Sequence, residues 1–158
     1  KESRWLPYLQ AQLDYPISAP LAVGRPCAQY PYFWSINRWI EGCTLRDEAP
    51  ADRTALARAL AAALKKLQQI DCTGGPAGGG LIDFGILGTG DPACDYAMAW
   101  TYFSPAERDV FLRGLDCGAV ARARGWALWK ALITYDDSDA DFRENARHTV
   151  REILKECG

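Results

Sequence analysis

The chain has 158 residues, enough for one domain with a real core. Apolar residues make up 49% and charged residues 24%, which excludes a mainly disordered chain. The net charge of −2 lacks the basic excess of an ordinary nucleic-acid binder, and no uncharged apolar run approaches the roughly 18 residues of a membrane span. Six cysteines are widely spaced, with no C-x-x-C pair, and the only histidine is His148, so no zinc site is expected. A chain with six Trp, seven Tyr and five Phe can build its core without disulfides, so the thiols are expected to be reduced and the protein cytoplasmic. Lys1 stands where a natural chain would start with Met, so the sequence is expected to be trimmed or partial.

Residues 2–13 read as a short helix, with Trp5, Leu6, Leu9 and Leu13 on one face and Pro7 arguing against a long regular helix while compatible with a first turn. Pro16, Pro20, Gly24 and Pro26 mark turns. Residues 19–23 and 32–40 read as an antiparallel strand pair, the second rich in aromatic and β-branched residues. Residues 52–70 carry the clearest helix, with Leu56, Leu60, Leu64, Leu67 and Ile70 at helical spacing and Asp52 as cap. A glycine-rich link over 74–80 follows.

Residues 81–84 then read as a short apolar strand. Asp91-Pro92 supplies an N-cap and first-turn proline for a helix reaching about Phe103, and Ser104 with Glu107 is a capping box for the next, ending near Leu115. Residues 119–135 form a third helix with Trp126, Trp129, Leu132 and Ile133 on its apolar side. Residues 139–157 form a fourth on Phe142, Ala146, Val150, Ile153 and Cys157.

The chemistry concentrates between Gly80 and Trp100. A carboxylate at the end of an apolar strand, as Asp83 is, can hold Mg²⁺, which prefers oxygen ligands and takes phosphate oxygens as others. The same residue can equally serve as a strand-end turn former. Gly88, Gly90 and Ala93 fit a dinucleotide fingerprint, but no second parallel strand follows to complete it. The glycines of 74–80 lack the Lys-Ser/Thr of a phosphate-binding loop. His148 falls off the apolar stripe of its helix and reads as a surface residue. Trp126 and Trp129 read as core or pocket wall. Asp136, Asp137, Asp139 and Asp141 read as a solvated loop with a helix cap.

The run IDFGILGTGDPACDYAMAW (82–100) resembles the metal-binding stretch of the aminoglycoside phosphotransferase family, where an Asp-Phe-Gly-like strand precedes a Gly-Asp-Pro-x-x-Asp helix start. KESRWLPYLQAQL (1–13), FWSINRWIEG (33–42) and residues 121–129 resemble further segments of it, in the same order. The resemblance implies an α+β, protein-kinase-like fold, here a remnant with a small antiparallel sheet and a mainly helical C-lobe. Residues 1–42 would be the N-lobe remnant, 43–73 a C-lobe helix, 74–80 a link or closed-up gap, and 81–158 the metal-site strand and helical lobe. It implies ATP and Mg²⁺ as cofactors and transfer of the γ-phosphoryl to a hydroxyl of a small molecule, and it offers Asp136, Asp137, Asp139 and Asp141 as a negative wall for a cationic substrate.

By the same resemblance Asp83 would bind Mg²⁺, and Arg38, Trp39, Ile40 and Glu41 would form the hinge beside the adenine. Glu2 would match the glutamate that pairs with the nucleotide-binding lysine. Asp91 and Asp95 would support the site, although a carboxylate in a first helical turn is also favoured by the helix dipole alone.

The family's His-Gly-Asp…Asn catalytic loop, which should sit just upstream of Asp83, does not occur in the sequence, and Lys1 adjoins Glu2 too closely to be the nucleotide lysine. The chain would then be part of a longer one with a gap closed up, a deletion, or an inactive relative. No catalytic base is expected among its residues. The competing expectation is a non-catalytic helical binding or assembly module, with uncovered apolar surface favouring a homodimer.

Overall fold

The computed structural model describes residues 2–45, 48–75 and 90–156. Helix α1 spans Glu2–Gln12, strands β1 and β2 span Pro20–Gly24 and Trp34–Asn37, and helix α2 spans Arg53–Gln68. A 3-10 turn over Pro92–Tyr96 leads into α3 (Met98–Thr101), α4 (Pro105–Phe111), α5 (Cys117–Ile133) and α6 (Ala140–Lys155). The described residues thus form an α+β molecule with one two-stranded antiparallel sheet and six α-helices. Among them no helix is long and apolar enough to cross a membrane, and no cysteine is in a disulfide.

Two apolar clusters organise the chain, and α2 belongs to both. In the smaller, Leu6 and Leu9 of α1 are buried with Ile17 and Ala19 against Trp5, Leu13, Leu67 and Ile70. Pro7 lies in the second turn of α1, not the first, and the helix continues through it. The Tyr8 hydroxyl donates to the Asp71 carbonyl at 3.0 Å, and Lys66 pairs with Asp14. The larger cluster collects Ala57 and Ala61 of α2 with Ala93, Tyr96, Ala99, Trp100, Phe103, Phe111, Ala123, Ala127 and Ile153. Along α2, Leu56, Leu60 and Leu64 flank that cluster, while Leu67 and, just past the helix, Ile70 serve the other. Asp52 caps α2 by accepting from the Ala55 N–H at 2.8 Å.

The strands pair antiparallel, with Ala22 opposite Ile36, Val23 opposite Ser35 and Gly24 opposite Trp34. A Cβ on Gly24 would lie 1.9 Å from the Trp34 indole, so only glycine lets that ring cross the strand. β2 is shorter than the expected 32–40, and all four of its residues are exposed. Its aromatic richness signals strand, but among the described residues no second layer covers either face.

The helix expected from Asp91 to Phe103 is divided into the 3-10 turn and the short α3. The Ser104–Glu107 capping box starts α4, which closes early, and Gly114 turns the chain at φ +87°. α5 buries Ala123, Ala127 and Ala131, whereas Trp129, Leu132 and Ile133 are more than half exposed, the opposite of the expected face. α5 is apolar nearly all round, so hydrophobicity does not select a face. Close approach to α6 and the 3-10 turn does, and it selects the small residues. On α6, Phe142 is likewise exposed, while Thr149 and Glu152 are buried beside Ala146 and Ile153.

Glu152 is buried because Arg108 meets it. The Arg108 guanidinium is 4% exposed and donates to Glu152 at 2.9 Å, to the Ala99 carbonyl at 2.9 Å and to Glu156. Glu156 also accepts from Trp100 Nε1 at 3.0 Å and pairs with Arg124 at 3.0 Å. The network ties α3, α4, α5 and the end of α6 together, with the buried charges matched to opposite partners.

Candidate functional site

Asp83, with the rest of 81–89, lies outside the described residues. Glu2 sits in the first turn of α1, half-buried. Arg38, Trp39, Ile40 and Glu41, expected at the hinge, follow β2 as exposed, irregular chain. The Arg38 N–H donates to the Ala19 carbonyl at 2.9 Å and its carbonyl accepts from the Ser18 hydroxyl at 2.9 Å. Trp39 is 82% exposed.

The best-formed polar constellation begins directly after the segment that carries Asp83. Asp91 caps the 3-10 turn, accepting from the Ala93 N–H at 3.1 Å. Its other oxygen accepts from Arg122 Nε at 3.1 Å and from Trp126 Nε1 at 3.4 Å. Partial burial pushes this carboxyl up, but the combined donors outweigh it and hold Asp91 below the usual carboxylate range. Asp91 thereby fastens the entry of the helical lobe to α5. Gln68 at the end of α2 adds a second tie, bonding the Pro92 carbonyl at 3.5 Å and the Tyr96 hydroxyl at 3.4 Å.

Asp95, half-buried in the same turn, accepts from Cys94 Sγ at 3.7 Å. Burial, reinforced by Asp95 and Asp91, pushes the Cys94 thiol up to about 11, so it is a neutral packing group and not a nucleophile. Burial also raises Tyr96, which stays protonated.

Above Asp91 runs an open groove of about 580 Å³ lined by Asp91, Arg122, Gly125, Trp126 and Trp129. The two indoles meet edge to face, 5.7 Å apart at 88°. Arg122 and Gly125 escape a sequence reading that weighs motifs alone. The signal was their spacing: 122, 125, 126 and 129 share one face of α5.

The acidic run after α5 is spent on local structure. Asp139 caps α6 through the Asp141 N–H at 2.8 Å, Asp137 accepts from the Asp139 N–H at 2.9 Å, and Asp136 pairs with Arg147 at 3.6 Å. His148 is exposed. Among the described residues no group of three or more His, Cys, Asp and Glu could hold a metal ion.

These features describe a helical lobe entered through a braced Asp-Pro turn, joined by one long helix to a small helix-and-hairpin unit. The chain matches the Phosphotransferase enzyme family over residues 1–78 and 72–132, and it belongs to that family. The two matched stretches overlap at the glycine-rich link. Neither the curated proteins nor the solved structures contain a match.

Proposed function

We propose that the chain is a nucleotide-binding descendant of an ATP-dependent small-molecule phosphotransferase and that its 158 residues transfer phosphate negligibly. The observation that carries this reading is the family match in two stretches meeting at 72–78, where the catalytic loop should lie and the sequence holds glycines instead. Asp83 supplies the hard oxygen ligand that Mg²⁺ prefers. Bound there with ATP, the ion would neutralise charge on the phosphates. Arg38, Trp39, Ile40 and Glu41 would contact the adenine through their backbone, and Glu2 would stand at the lysine-pairing position. Asp91 and Asp95, at the 3-10 turn that follows Asp83 in the chain, would support the metal site. The sequence lacks the His-Gly-Asp…Asn loop that would supply the base for the hydroxyl proton.

The test is thermal unfolding with and without Mg-ATP, beside an assay of phosphoryl transfer. Mg-ATP at 100 times its Kd adds about 2.7 kcal/mol to the folded state. A rise in Tm that disappears in Asp83→Ala supports the reading. No Mg-ATP-dependent rise overturns the nucleotide site, and turnover at the roughly 1–100 s⁻¹ of ordinary kinases overturns the inactivity.

A second reading, a non-catalytic assembly module, is favoured by the hairpin. Leu21, Val23, Phe33, Trp34 and Ile36 are all exposed on a sheet of two strands. Sedimentation decides it: a homodimer that dissociates in Phe33→Ser supports that reading, and a monomer at all concentrations removes it.

A further inference from the structure

We propose that the groove on α5 is the site of the acceptor alcohol, and that it takes a hydroxylated ring carrying no positive charge. This rests on the phosphotransferase reading above and adds the substrate class.

Four observations point the same way. Trp129 is 54% exposed, which offers an indole face to a ring. Its neighbour Trp126 is held by the bond from Nε1 to Asp91 and by its edge-to-face contact, so the aromatic wall is fixed before a ligand arrives. The only carboxylate in the groove, among the described residues, is already filled by the Ala93 N–H, Arg122 and Trp126. An ammonium group would have to displace Arg122 to reach it. Arg122 engages Asp91 through Nε, and its side chain is 55% exposed, so the guanidinium end adds a cation and hydrogen-bond donors at the groove. That end repels ammonium groups and suits hydroxyl or carboxylate oxygens.

Gly125 completes the case. It sits in the middle of α5, where alanine would favour the helix, and a Cβ there would meet nothing within 4 Å. Packing does not require this glycine, yet its lack of a side chain keeps the groove wall open between Arg122 and Trp129. The acidic run that could attract a polycation begins beyond the end of α5, more than about 15 Å along the helix from Arg122, and is occupied as described.

The test uses the full 158-residue chain and follows tryptophan emission. Methyl β-glucoside and glucuronate serve as neutral and anionic rings, kanamycin and choline as cations. The expected result is a saturable change with both rings, at least about ten-fold weaker in Trp129→Ala and in Gly125→Leu and unchanged in Leu154→Gln, at an exposed position of α6. Arg122→Gln should weaken glucuronate more than the glucoside. Circular dichroism of each variant checks that the helices are intact. Saturable binding of kanamycin or choline that is lost in the same two variants overturns the proposal, as does the absence of a saturable response to either ring. Mg-ATP stabilisation separates the two levels. If Mg-ATP raises Tm and no ring binds, the groove assignment fails alone. If rings bind and Mg-ATP has no effect, the groove stands and the nucleotide reading fails.

Discussion

The helix-and-hairpin unit and the helical lobe hold similar numbers of aromatic residues, eight in residues 1–42 and nine in residues 90–156, and bury them very differently. In the lobe, Tyr96, Trp100, Phe103 and Phe111 are almost fully buried; Phe111 packs at tilted angles against Tyr96 and Phe103, and alanines complete the cluster. In the hairpin, Tyr30, Tyr32, Phe33 and Trp39 are at least half exposed. The shorter unit is the denser in aromatics yet the less buried, so the number of layers, not composition, decides burial. Five helices and a turn enclose the lobe's rings, whereas two strands alone have no inside. An aromatic residue therefore contributes stability only where the topology provides an opposing surface.

The largest test of this contrast is Arg108→Ala. It leaves Glu152 buried beside the space left by the guanidinium, and it should cost about 3–5 kcal/mol in denaturant unfolding. A cost below 1 kcal/mol would show that the network is dispensable and the lobe is held by its rings alone. Next comes the bridge between α2 and α4. Arg53 donates to Glu107 at 2.9 Å and to the Tyr102 carbonyl at 2.5 Å, and its guanidinium stacks 4.4 Å from the Tyr102 ring. The Arg53 hydrogen bond, with help from Ser104, outweighs burial and holds the Glu107 carboxyl at about 2, below its ordinary 4.5. A carboxyl depressed by folding stabilises the native state above its unfolded pKa and loses that contribution as pH falls through the folded one. Urea midpoints of the lobe should therefore drop between about pH 4.5 and 2, and Arg53→Ala should flatten that drop while costing about 1.5–3 kcal/mol at pH 7. An unchanged slope in the variant would assign the acid sensitivity elsewhere.

A smaller effect is expected at Gly114, where φ is +87° and a Cβ would meet Lys65 Nζ at 3.0 Å. Gly114→Ala should cost about 1–2 kcal/mol from the left-handed backbone, read as a lower Tm. The smallest belongs to the hairpin: Trp39→Ala should stay within about 0.5 kcal/mol of the parent. A large loss there would mean that something covers the hairpin in solution, and would erase the contrast.

The parts legible in the sequence were those settled within four residues of chain. Asp52, Asp91 with Pro92, Ser104 with Glu107, and Asp139 each cap the helix or turn they precede, because a side-chain oxygen reaching a nearby N–H needs no knowledge of the rest of the fold. The face of α5 was not legible, because nearly every position is apolar and the choice depends on how near the neighbouring elements come. Nor was the burial of Arg108 and Glu152, since charges read singly belong in water and only their meeting across 44 residues makes the interior possible. The candidate groove was half legible: its two tryptophans stood out as core or wall, but not the arginine and glycine that give the wall its chemistry. Asp83, on which the family resemblance leaned, is a matter of sequence alone.

The alternation along α2 has a mechanical consequence. A rod whose first three turns are clamped in one neighbourhood and whose last turn is clamped in another cannot rotate or slide for one without disturbing both. Whatever grips the hairpin end is thus felt at Gln68, and through it at the Asp-Pro turn that opens onto the groove.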